Sequence, residues 1–139
     1  MTEQNFAEMF SIESLPSVEC SMVKIVWSRN YQLKWCADTI STSCVDDCII
    51  SHLKFLANFT TARYKWSAEQ LRTMAWLIRK QHPAMTMPQF RVFIVCCMAG
   101  RFGKFYDKLD SVELCSWLVK WSAEIDSWRR ANWETRPRD

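Results

Sequence analysis

Apolar residues recur along this chain at spacings of three and four, the interval that brings side chains onto one face of an α-helix. The pattern is clearest near the C-terminus, where Leu114, Leu118, Trp121, Ile125 and Trp128 form the seam of a packed helix. Asp110 opens this helix, and Glu113 adds a second carboxylate near its positive end. Upstream, Leu71, Met74, Ala75 and Ile78 line a helix that starts at the box-like Ser67-Ala68-Glu69-Gln70 and ends before Pro83. Ile49, Ile50, Leu53, Leu56 and Phe59 mark another, which follows polar Ser41-Thr42-Ser43 and is capped by the S-x-x-D spacing of Ser43 and Asp46. Ser14-Leu15-Pro16 predicts a helix start, with the helix running over about residues 17–31 and burying Val18, Met22, Ile25 and Val26. Residues 32–40 continue it or follow after a kink. The first fifteen residues form an arm or short helix that offers Phe6, Met9, Phe10 and Ile12 for docking.

Thr86-Met87-Pro88 restarts a helix that runs to about Ala99. Phe90, Val92 to Val95 and Cys96 to Met98 make it apolar all round, and Val-Phe-Ile-Val also suits a buried strand. No second strand-like segment is present to pair with it, which favours a central buried helix capped by Gly100. The expected fold is therefore all-α: a compact bundle of five or six helices in one domain over residues 16–133. The N-terminal arm (1–15) and a tail fraying over residues 134–139 flank it.

Composition supports this. The chain has 139 residues, enough for one core, and only two glycines, Gly100 and Gly103. A sandwich or barrel needs many tight turns with positive φ, and no Asn-Gly pair occurs. The net charge of +3 is lower than expected of a protein that holds nucleic acid chiefly by its phosphates. Seven cysteines, an odd number without a C-x-x-C pair, fit reduced thiols in a cytoplasmic protein. The segment MTEQNFAEMF lacks the basic flank and apolar run of a signal peptide, and the longest apolar run, Val92 to Ala99, is far short of the ~20 residues that span a bilayer. No membrane association is expected.

Chemistry-bearing patterns are few. The histidines are His52 and His82, and neither a glycine-rich phosphate loop nor H-E-x-x-H is present. No catalytic residue, metal ligand or cofactor site is assigned. Cys44, Cys48 and His52 share a helix face, but zinc usually draws on two clusters from separate elements. The nearest second pair, Cys96 and Cys97, would point about 100° apart on a helix. The cysteines are read as core or half-buried thiols. Arg63-Tyr64-Lys65-Trp66 and the stretch Tyr31 to Trp35 interleave aromatic and basic groups in the manner of single-strand binders. Packing accounts for most of the eight tryptophans. Trp133, beyond the seam and beside arginines, is the one assigned to a partner contact.

One segment stands apart. Gly100-Arg101-Phe102-Gly103-Lys104-Phe105-Tyr106-Asp107-Lys108-Leu109-Asp110 gathers both glycines, three aromatics and three basic side chains into one interhelical connection. Gly100, Phe102, Gly103, Phe105, Tyr106 and Asp110 are expected to shape the turn. Arg101, Lys104 and Lys108 are expected to project into solvent, where with Trp133 they are the candidate binding residues. A purely structural turn with solvated basic groups has the same composition.

The run W-S-A-E-Q-L…A-W-L-I…H-P-A-M-T…F, followed by G-R-F-G-K-F-Y-D-K-L-D, resembles a family of largely uncharacterised proteins from phages and mobile elements of Bacteroidetes-type bacteria. These are often encoded among replication genes and are loosely likened to helicase loaders. The resemblance covers about residues 46–130, and its specific part is G-x-[FY]-G-x-[FY]-Y-x-x-[LV]-D over Gly100 to Asp110. It implies a non-catalytic DNA replication accessory protein that binds a helicase or another replication protein and contacts DNA weakly. Members of the family tend to carry Arg or Lys just before the first glycine, where this chain has Val95, Cys96, Cys97 and Met98. Any nucleic-acid contact therefore falls to Arg101, Lys104 and Lys108. The competing expectation is a protein-interaction module that regulates or inhibits a host protein outside replication.

Overall fold

The computed structural model describes residues 1–105 and 107–138. Its elements, in chain order, are α1 (Glu3–Met9), a 3₁₀ helix (Ile12–Ser17), α2 (Met22–Ile25), α3 (Leu33–Thr39), α4 (Thr42–Phe59), α5 (Ala68–Gln81), α6 (Met87–Met98), α7 (Ser111–Ala131) and a 3₁₀ turn (Trp133–Thr135). The fold is all-α and a single domain, in which α4–α7 form the main bundle and the shorter N-terminal elements close over it. One continuous core runs from Phe6 in α1 to Ile125 in α7. No helix among the described residues is long and apolar enough to cross a membrane.

Local capping chemistry sets the starts of the long helices. The Ser67 hydroxyl accepts from the Gln70 amide at 3.1 Å while the Gln70 side chain accepts from the Ser67 amide at 2.8 Å. Thr86 and Gln89 repeat this reciprocal arrangement at the head of α6. Asp110 Oδ1 accepts from the amides of Val112 and Glu113. Residues 87–98 are a helix, buried on most of its circumference from Met87 to Cys97, which settles the helix-or-strand alternative. At α4 the predicted cap is displaced. Ser41, not Ser43, accepts from the Cys44 amide. Asp46 instead pairs with Arg79 of α5, at 2.9 Å from Nε to Oδ1.

The N-terminal third departs most from expectation, because the single helix predicted over residues 17–31 does not form. Pro16 lies inside the 3₁₀ helix, residues 18–21 are irregular, and α2 is one turn long. The cause is tertiary. Tyr31 takes a positive φ of 67°, an uncommon conformation for a bulky side chain, and its carbonyl accepts from the Met87 amide at 2.8 Å. The amides of Leu33 and Lys34 then donate to the carbonyls of Met85 and Pro83. These bonds hold residues 31–34 to the loop before α6. Within the predicted segment, the carbonyls of Ile25 and Val26, which a helix to residue 31 would offer to the amides of residues 29 and 30, accept from the side chains of Gln89 and Arg129. Gln89 reinforces the junction from below, its side chain donating to the Ile25 carbonyl at 3.0 Å.

The first residues belong to the fold, with Phe6 and Phe10 buried while Met9 stays exposed. They are held by Arg91 of α6, a buried arginine. Its guanidinium donates to the Ser11 carbonyl (2.7 Å), the Ser14 hydroxyl (2.9 Å) and His52 Nε2 (3.1 Å), and lies 5.8 Å from the Phe10 ring centre. At the other end, residues 133–135 form the 3₁₀ turn and do not simply fray, with Trp27 Nε1 donating to Thr135 Oγ1 at 3.2 Å.

Candidate functional site

The turn after α6 is built as the glycines suggest. Gly100 takes φ +78°. Its amide donates to the Cys97 carbonyl and that of Arg101 to the Cys96 carbonyl, the paired bonds that close a helix C-terminus through a left-handed residue. Gly103, at φ +131°, lies against Trp117, where a Cβ would sit 3.4 Å from Cζ2. Phe102 and Phe105 flank the same indole, with ring centres 6.3 and 4.6 Å away. Phe105 also meets Trp66 edge-on at 5.9 Å. Trp117 itself donates to Glu113 Oε1 at 2.8 Å. Tyr106 lies outside the described residues.

This packing gives a direct expectation for Gly103→Ala. The methyl group meets Trp117 at ordinary van der Waals distance, but the backbone is held where an L side chain is strained, so stability should fall by about 1–2 kcal/mol in urea unfolding. Gly100→Ala has open space around its Cβ and should show the strain of positive φ alone.

The binding candidates separate. Arg101 folds back over α7, ion-paired with Glu124, its guanidinium 5.6 Å from the Trp121 ring centre and 5.9 Å from that of Phe102. Lys104 and Lys108 are exposed and have no ion-pair partner among the described residues. Trp133 lies beyond the other end of α7, whose 21 residues put it ~30 Å from Lys108. It is 56% exposed, meets Trp27 edge-on at 6.0 Å and carries Arg136 at 4.4 Å from its ring centre. The turn and Trp133 therefore belong to two surfaces.

The structure joins the turn instead to a second segment. The amides of Arg63 and Tyr64 donate to the Asp107 carbonyl, at 2.9 and 3.1 Å, and the Leu109 amide donates to the Tyr64 carbonyl at 2.8 Å. A short parallel bridge thus aligns Tyr64 with Lys108. Arg63 stands 3.9 Å from the Asp107 carboxylate. Lys65, itself exposed, donates back to the carbonyls of Ala57 and Thr60, placing its charge at the negative end of α4. Next to this junction a groove of about 370 Å³ is lined by Phe59, Thr60, Gly100, Gly103, Lys104 and Phe105. Phe59, expected on the buried stripe of α4, is 58% exposed, and Tyr64 is 57% exposed.

Both histidines are placed. Burial, chiefly, and then the adjacent Arg91 push His52 down to about pKa 4, against the opposing bond to the Cys48 carbonyl. Its Nδ1 lies 2.8 Å from that carbonyl and its Nε2 accepts from Arg91, so both ring nitrogens are engaged. Burial pushes the Cys48 thiol up to about 12. No group of three His, Cys, Asp or Glu side chains among the described residues could hold a metal ion. His82 lines a small depression with Ser122 and Asp126. Its Nε2 is buried with no hydrogen-bond partner among the described residues.

Comparison with family models, curated proteins and solved structures finds no match to this chain.

Proposed function

We propose that this protein is a non-catalytic accessory factor of DNA replication in a phage or mobile element, acting by binding a helicase or another replication protein with a weak contact to DNA. The replication context comes from the resemblance over Gly100 to Asp110. What supports a binding role is the junction of Arg63 and Tyr64 with Asp107 and Leu109, where Tyr64 and Lys108 are exposed, and the adjoining groove lined by Phe59 and Lys104. Tagged protein should be captured from cells that carry its gene, after nuclease treatment to remove bridging DNA, and its partners identified by mass spectrometry. Enrichment of a replication protein, reduced about tenfold by Lys104→Glu with Lys108→Glu, is the expected result. Equal capture by the variant, or no replication protein, counts against it. Arg101→Glu is a poor probe, since it sets a carboxylate against Glu124.

The Trp133 surface favours a second reading, a module that regulates or inhibits a host protein outside replication. Tryptophan with an adjoining arginine is a frequent centre of protein interfaces. Salt-insensitive capture of a host protein, lost in Trp133→Ala and kept in the lysine variant, would select it.

A further inference from the structure

We propose that the surface formed where residues 59–65 meet Lys104, Phe105 and residues 107–109 binds single-stranded DNA, by stacking bases on Phe59 and Tyr64 and meeting phosphates with Arg63, Lys104 and Lys108. This deepens the replication reading, on which the choice of DNA over RNA rests.

Neither Phe59 nor Tyr64 is stacked on another ring among the described residues. Phe59 and Lys104 line one groove, and Tyr64 is backbone-paired with Lys108. A solitary exposed aromatic is ordinary. Two of them, interleaved with cations along adjoining segments, form the platform that holds single strands without reading sequence.

The nearby carboxylates are already engaged. Asp110 caps α7, Glu113 accepts from Trp117, and Asp107 faces Arg63 across an exposed 3.9 Å contact that a phosphate can replace at little cost. Three cations do not hold a duplex firmly, and a duplex keeps its base faces stacked away from Phe59 and Tyr64. The low net charge and the exposed rings together select a single strand. The contact is weak by phosphate count, which makes stacking decisive. Three phosphate contacts imply about a 20-fold loss of affinity between about 50 and 200 mM salt.

The test is fluorescence anisotropy of the full chain with labelled oligo-thymidine, beside a duplex of equal length and oligo-uridine. Expected are a preference for oligo-thymidine over both, the stated salt dependence, and at least about a tenfold loss in Phe59→Ala with Tyr64→Ala. Lys104→Glu with Lys108→Glu should abolish binding. These side chains lie outside the core, so unchanged melting temperatures would show that the variants fold. Absence of binding at low salt, equal binding of duplex, or an unaffected aromatic variant overturns the proposal. Tighter binding of oligo-uridine would assign the surface to RNA and overturn it as stated. Displacement by poly-glutamate as readily as by oligo-thymidine would point to an acidic protein face and would also overturn it. If oligo-thymidine fails to bind while capture enriches a replication protein, this inference falls and the replication reading stands. If oligo-thymidine binds as expected while capture yields nothing from replication, the DNA surface stands and that reading falls.

Discussion

Replacing Trp117 with alanine is expected to lower the stability of the whole domain by about 4 kcal/mol, the range found when a large buried aromatic is truncated. The indole is fully buried and serves as the anvil for the turn, with Phe102 on one side, Phe105 on another and Gly103 against its edge. Removing it leaves a void beneath three turn residues and frees Glu113 from its bond to Nε1. Trp117→Phe keeps most of the apolar contact and loses the hydrogen bond, so its cost should be about 1–2 kcal/mol. Urea unfolding followed by circular dichroism would separate the two. A loss under about 1 kcal/mol for the alanine variant would show that the turn does not lean on Trp117. The same variant should weaken whatever the turn binds through Lys104, which stands between Gly103 and Phe105, both packed on Trp117.

Trp117 also marks what could be read from the chain before folding. Capping pairs are local, so Ser67 with Gln70 and Asp110 as a helix start were legible, and the scarcity of glycine pointed to the turn at Gly100 and Gly103. The seam through Leu114, Leu118, Trp121, Ile125 and Trp128 was legible too, but Trp117 falls one position off it and was passed over. The predicted helix over residues 17–31 gives way to tertiary bonds: the carbonyls of Ile25 and Val26 accept from Gln89 and Arg129, and the backbone of residues 31–34 bonds to residues 83–87, and nothing within the segment announces those partners. Phe59 fitted the helical spacing of α4 but lies at its last turn, where the stripe has run past the core. The junction of Tyr64 with Lys108 was invisible for the same reason as the Tyr31 contact: both segments looked basic and aromatic, but only the tertiary fold brings them together.

Acidification is expected to destabilise the protein well before general carboxylate protonation, through His52. In the folded chain its Nδ1 donates to the Cys48 carbonyl and its Nε2 accepts from Arg91. Only a neutral ring with its proton on Nδ1 satisfies both bonds. A second proton would turn Nε2 into a donor facing another donor and place two cations 3.1 Å apart in a dry site. The folded pKa is accordingly about 4 against an ordinary 6.5. Between these values the unfolded chain binds the proton and the folded chain does not, so stability falls as pH falls from 6.5 toward 4 and levels off below. At ~1.4 kcal/mol per unit the loss reaches about 3 kcal/mol. His82, also pushed down by burial, acts in the same direction. His52→Gln offers an amide that can donate to the Cys48 carbonyl and accept from Arg91 at every pH. Its stability should be flatter than that of the parent over this interval, as read from urea midpoints at matched pH. Parallel profiles would mean that His52 takes its proton in the folded state, and that Arg91 reaches the N-terminal carbonyls without depending on a neutral imidazole.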